Sequence, residues 1–161
     1  MTREQLSGWA GYLVSAALLG PFIAPIVGIG DEVITAGSLR WRFGLLGIVF
    51  NSAGYLLLAV LIAGLVAAAR RQRGVVLLLG LLTGVIALLF LGGLGLFALD
   101  ALQLRQMIPE SIRGTVTVRS VQSLGIGGLA FLVLITMALS FLRAGRALAP
   151  RSRPGAPAII R

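Results

Sequence analysis

Four long apolar runs decide what this chain can fold into. They occupy about residues 6–30, 43–69, 75–99 and 121–142, and none carries a charge between its ends. The first keeps its apolar character to about Ile34 but meets Asp31 and Glu32 at its close. A spanning helix needs about 20 predominantly apolar residues, so every run is long enough to cross a bilayer. Inside a uniformly apolar stretch periodicity does not separate strand from helix, but length does. The alternating segments of about ten residues that build membrane barrels do not occur in this sequence.

Composition agrees with the runs. Only 12% of the 161 residues are charged and 58% are hydrophobic, whereas a soluble domain carries about a quarter charged residues. A compact core of this size could not hide so much apolar surface from water. The chain has neither Cys nor His. That excludes a disulfide framework, thiol catalysis, iron–sulfur ligation, bis-imidazole haem, most zinc sites and a histidine base. No catalytic, cofactor-binding or metal-ligating residue is assigned.

The connections set the expected architecture. Arg70-Arg71-Gln72-Arg73-Gly74 joins the second and third runs tightly enough for an antiparallel helical hairpin. The longest connection, Asp100 to Ser120, opens with apolar residues near helical spacing from Ala101 to Ile108, and Pro109 ends any helix there. This spacing predicts a short interfacial helix, and Thr115-Val116-Thr117-Val118 reads as a short extended piece. Pro21 and Pro25 each remove a helix hydrogen bond and predict a kink in the first span. With Glu4 beside Arg3 and no clear small-residue cleavage site, the first run is expected to be a span and not a cleaved signal. The expectation is an all-α integral membrane protein: a four-transmembrane-helix bundle over residues 1–146, first helix Pro-kinked, followed by an Arg/Pro-rich tail, 147–161, poorly ordered by itself.

Charge orients the bundle. The chain has 14 basic against 5 acidic residues, net +9, and every basic residue is Arg. In a soluble chain this would suggest nucleic acid; here the Arg residues lie between and after the apolar runs, where a membrane surface explains them. Four spans place Arg3, Arg70, Arg71, Arg73, Arg143, Arg146, Arg151, Arg153 and Arg161 on one side, and Arg40, Arg42, Arg105, Arg113 and Arg119 on the other. Basic residues mark the cytoplasmic side, so both termini are expected there, in a bacterial inner membrane with anionic headgroups as partner. The Arg70–Arg73 turn and Arg143, Arg146, Arg151 and Arg153 are the expected surface or partner contacts.

In lipid, close packing of small residues and interhelical hydrogen bonds hold helices together. The second span presents Gly44, Gly47, Asn51, Tyr55, Ala59 and Ala63 at steps of three or four, the third Gly80, Thr83, Gly84 and Ala87, and the fourth Gly125, Gly128, Leu132, Thr136 and Ser140. Each stripe predicts a packing seam, with Asn51, Ser52 and Tyr55 as the only deep polar cluster. These features favour a non-catalytic accessory or assembly subunit that packs against other membrane proteins or a second copy. The alternatives are a small transporter or channel, with a site near Asn51 and Tyr55 and the broken first span, and a membrane enzyme using Asp31, Glu32 and Asp100. The three acids are expected at the outer surface, near Arg40, Arg42 and Arg105.

Overall fold

A computed structural model describes residues 3–28 and 38–148. All four elements are helices: α1 (Arg3–Gly28), α2 (Leu39–Ala69), α3 (Arg73–Met107) and α4 (Glu110–Ala147). Each is long and apolar enough to cross a membrane, which suggests an integral membrane protein. The assignment of α1 runs through Pro21 and Pro25 without a break. The tail from residue 149 lies outside the described residues, and so do Asp31 and Glu32.

The third connection differs from the sequence expectation. No separate interfacial helix forms: residues 101–107 are the last two turns of α3, and Thr115–Val118 are helical within α4. Alternation of Thr and Val imitates a strand, but the hydroxyls find helical partners. Thr117 Oγ1 donates to the Arg113 carbonyl and Ser120 Oγ to that of Val116, each one turn back. The long loop shrinks to Ile108 and Pro109. Ile108 is extended, as a residue before proline must be, and Pro109 starts α4. At about 1.5 Å per residue α3 and α4 run roughly 52 and 57 Å, well beyond the ~30 Å of a hydrocarbon core.

The α2–α3 turn is a Schellman motif. Gln72 N–H donates to the Ala67 carbonyl and Arg71 N–H to that of Ala68, both at 2.9 Å. Arg71 takes the left-handed position, at φ 54°. At the other end Ser38 caps α2, its Oγ accepting from Trp41 N–H at 3.2 Å.

Helices α2, α3 and α4 make the core. The buried positions of α4, from Ser120 through Ser123, Gly127, Ala130, Leu134, Ala138 and Phe141 to Gly145, step by three or four along one face, as ridges-into-grooves packing requires. Gly80 lies against Leu142, where a Cβ would come within 3.2 Å of the Leu142 backbone nitrogen. Helix α2 locks onto α4 by two reciprocal contacts. Its Phe50 ring fills the slot at Gly127, where a Cβ would stand 2.8 Å from the ring, and the Phe141 ring of α4 fills the slot at Gly64 of α2. Gly64 follows Phe50 by 14 residues and Phe141 follows Gly127 by 14. The two locks therefore lie about 21 Å apart along parallel helices. The only extended packing of α1 among the described residues is along α2.

Candidate functional site

Two features lie on the α2–α3 face. The first is an ion pair: Arg42 Nη2 meets Asp100 Oδ1 at 2.9 Å, the Arg side chain 45% exposed and the Asp side chain 4%. Asp100 sits about seven residues inside the end of α3 because α3 continues to Met107. A buried carboxylate needs a countercharge, and Arg42 supplies it from the first turns of α2. Asp100 Oδ2, Trp41 Nε1 and Arg113 Nε are buried without a hydrogen-bond partner among the described residues. Arg113 Nη2 donates to the Ile108 carbonyl at 3.3 Å, placing a cation at the C-terminus of α3, where the helix dipole favours it.

The second is an apolar cavity of about 340 Å³ between α1, α2 and α3. Leu46, Val49, Phe50 and Leu56 form the α2 wall, Ile86, Leu89, Phe90 and Gly93 the α3 wall, and Phe22 closes it from α1. Of the residues that line it, Leu89 is the most exposed, at 69%. Both walls continue at helical steps toward the ion pair: Arg42 precedes Leu46 by four residues, and Asp100 follows Gly93 by seven. Between cavity and pair lies the Phe43–Phe97 stack, with centroids at 4.6 Å and planes 11° apart. The Phe97 edge in turn meets Phe50 at 5.6 Å.

The polar cluster of the second span separates into three different environments. Asn51 Nδ2 donates to the Gly47 carbonyl at 2.7 Å and to Ser123 Oγ of α4 at 3.2 Å. Ser52 Oγ donates back to Ile48 at 2.8 Å. Tyr55 is exposed. Of the stripe glycines, a Cβ added at Gly47 would stand 3.7 Å from the Phe97 ring and one at Gly84 3.9 Å from the Ala138 Cβ, both ordinary contacts, and Gly44, Gly125 and Gly128 face open space. Thr83 is buried and donates to the Leu79 carbonyl at 2.6 Å. Thr136 and Ser140 are exposed, and their hydroxyls bond to carbonyls one turn back, Leu132 and Thr136.

Stripe reading missed the closest glycines, Gly11, Gly64, Gly127 and Gly145. A Cβ on these would run into Val66, Phe141, Phe50 and Leu77 respectively. Matched 14-residue intervals between Phe and Gly on α2 and α4 were the available signal.

The Leu77–Gly145 contact puts the start of α3 beside the end of α4. Arg70, Arg71, Arg73, Arg143 and Arg146 therefore share one end of the bundle. Tyr12 of α1 reaches the same end, its hydroxyl donating to Gln72 Oε1 at 2.6 Å. Arg105 is exposed and belongs to neither ion pair of the described residues, Arg42–Asp100 and Arg113–Glu110. The Arg40 side chain lies outside the described residues, as do Arg151 and Arg153. No group of His, Cys, Asp and Glu suited to a metal occurs among the described residues. No protein family, curated protein or solved structure matches the chain.

Proposed function

We propose that this chain is a small non-catalytic membrane protein that packs against other membrane proteins, as an accessory or assembly subunit of a larger complex, bioenergetic complexes being one setting for such subunits. The observation that carries this reading is the outward face of α4. Gly125, Leu132, Thr136 and Ser140 are exposed on it, and Gly128 has open space above its Cα. Small residues let helix backbones approach closely in lipid, and the contacts inside this chain use the opposite, Gly127–Gly145 face. A partner helix, from another protein or a second copy, fits the unused one. The bond from Asn51 to Ser123 supports a role in holding α2 to α4, in preference to lining a transport path. A kink at Pro21 and Pro25 belongs to the same proposal, because it would turn one end of α1 off α2 toward a neighbour.

In this reading both termini are cytoplasmic in a bacterial inner membrane, with the five Arg at one end of the bundle against anionic headgroups. A periplasm-active reporter should be silent after Gly74 and active after Glu110; the reverse pattern inverts the orientation. The function itself is tested by purifying the tagged chain from gently solubilised native membranes. A stoichiometric larger particle is expected, lost when Gly125 and Gly128 are both changed to Leu while the thermal midpoint of the isolated chain holds. A free monomer in the wild type overturns it.

A further inference from the structure

We infer that the cavity between α1, α2 and α3 is a phospholipid site: one acyl chain lies in it and the lipid phosphate is held by Arg42. Three observations converge. The lining is wholly apolar, and about 340 Å³ is within the range of ligand cavities. The α2 wall from Leu46 to Leu56 is about 15 Å long, half of a ~30 Å hydrocarbon core and so the depth of one leaflet. Arg42 stands one turn above Leu46 on the same face of α2, so a lipid whose chain lies in the cavity and passes over the partly exposed Phe43 brings its headgroup to the guanidinium. The Asp100 contact uses Nη2 and fixes the side chain, while nearly half of Arg42 stays exposed. A pre-positioned guanidinium with free N–H donors suits a phosphate oxygen. The site thus selects for an apolar tail and an anionic phosphate together.

The charge balance gives the site a signature that mere packing does not share. Asp100 opposes the phosphate, so replacing it with the neutral amide should strengthen lipid binding, even though the change weakens the ion pair. The experiment titrates the full, delipidated chain in detergent with phosphatidylglycerol and reads bound lipid by native mass spectrometry, with diacylglycerol as the phosphate-free comparison. One phosphatidylglycerol per chain is expected, at least fivefold tighter than diacylglycerol. Leu89→Trp, which adds bulk at the exposed lining position, should weaken it at least fivefold, and Arg42→Gln at least tenfold. Arg42→Lys keeps the charge and should lose less, which covers the case where Arg42→Gln fails to fold. Asp100→Asn should bind at least twofold tighter. Absence of bound phosphatidylglycerol, equal binding of diacylglycerol, or weaker binding by Asp100→Asn overturns the assignment.

Discussion

Helix α1 and helix α4 are both apolar enough to span a bilayer, yet they are built into the molecule differently. In the most apolar window of α1 only 6% of residues are buried, against 28% in α4. Helix α4 packs along α3 from Gly127 beside Leu94 to Gly145 beside Leu77 and is pinned to α2 by Phe50 at Gly127 and Phe141 at Gly64. Helix α1 packs along α2 alone, with one tight glycine, Gly11 against Val66, and one hydroxyl, Ser15 Oγ donating to the Ala59 carbonyl at 2.7 Å, and it reaches the α2–α3 turn through the Tyr12–Gln72 bond. Hydrophobicity does not separate the two, because lipid solvates both. What separates them is shape: α4 offers glycine slots spaced to receive rings, and α1 does not.

The glycine slots are therefore where the comparison breaks most visibly. Gly64→Leu or Gly127→Leu forces a side chain into space held by an aromatic ring. Overpacking typically costs about 1–3 kcal/mol and sometimes more, and these sites belong at the upper end because ring and backbone are both confined. Unfolding titrations in detergent should show that loss, while Gly44→Leu and Gly125→Leu, which meet open space, should be nearly silent. The pair Gly64→Phe with Phe141→Gly moves the ring to the other helix and should recover part of the loss. If Gly64→Leu and Gly125→Leu cost the same, the locks do not hold α2 to α4.

The Arg42–Asp100 pair ties the far end of the α2–α3 seam, and its partners are unequal. Arg42→Ala leaves a buried carboxylate without its countercharge, a loss of about 3 kcal/mol by comparison with broken buried pairs. Asp100→Ala leaves a half-exposed guanidinium that can turn to water or headgroups, so its cost should be clearly smaller. Equal costs for the two, in the same unfolding assay, would mean that Asp100 is not desolvated as its burial implies.

Much of this was legible in the residues. Helix number and approximate position followed from run length. The Arg70–Arg73 turn followed from its brevity. Helical spacing marks the 101–108 stretch, but its continuity with α3 is hidden because Asp100, Gln103, Arg105 and Gln106 end the apolar run. Thr115–Val118 misled for the opposite reason: an alternating pattern outweighed hydroxyls that bond one turn back. The Asp100–Arg42 pairing was half visible, since both residues were expected among charges at one end. The cavity was not visible at all. It depends on how α1 leans on α2, and one-dimensional periodicity carries no interhelical distance. The stripe on α4 follows Gly125, Gly128, Thr136 and Ser140, a face of small and polar residues with no ring on it. The buried face instead mixes Gly and Ala with Leu and Phe, because a packed seam needs knobs as well as holes.

A turn residue gives a smaller effect of opposite sign. Arg71 holds φ 54° at the C′ position of the Schellman motif, where a side chain costs roughly 1–2 kcal/mol relative to ordinary backbone and glycine does not. Arg71→Gly should stabilise the α2–α3 hairpin by up to about 1 kcal/mol after the entropy of the added glycine is subtracted. Thermal midpoints in detergent report it. A lowered midpoint would mean that the Arg71 side chain makes a contribution larger than the backbone relief.

The smallest expected effects sharpen the comparison most, because they ask whether α1 and α4 are held by hydrogen bonds of the same worth. Ser15→Ala removes the bond to Ala59 between α1 and α2, and Asn51→Ala removes the bond to Ser123 between α2 and α4. Interhelical bonds in lipid average about 0.6 kcal/mol, so neither should change stability by much more than 1 kcal/mol. Their consequences should nevertheless differ in kind. Helix α4 keeps its ring locks when Asn51 is lost, so Asn51→Ala should lower the midpoint slightly without loosening any one segment. Helix α1 packs along α2 alone among the described helices, so Ser15→Ala should raise hydrogen exchange along α1 selectively, and Ser15→Ala with Tyr12→Phe should raise it further while α2–α4 stay protected. Partial opening of that sort follows where a segment packs on one neighbour and lies largely outside the core. If the double variant instead loosens all four helices together, α1 is part of the cooperative core, and the contrast drawn from its exposure does not govern how the protein comes apart.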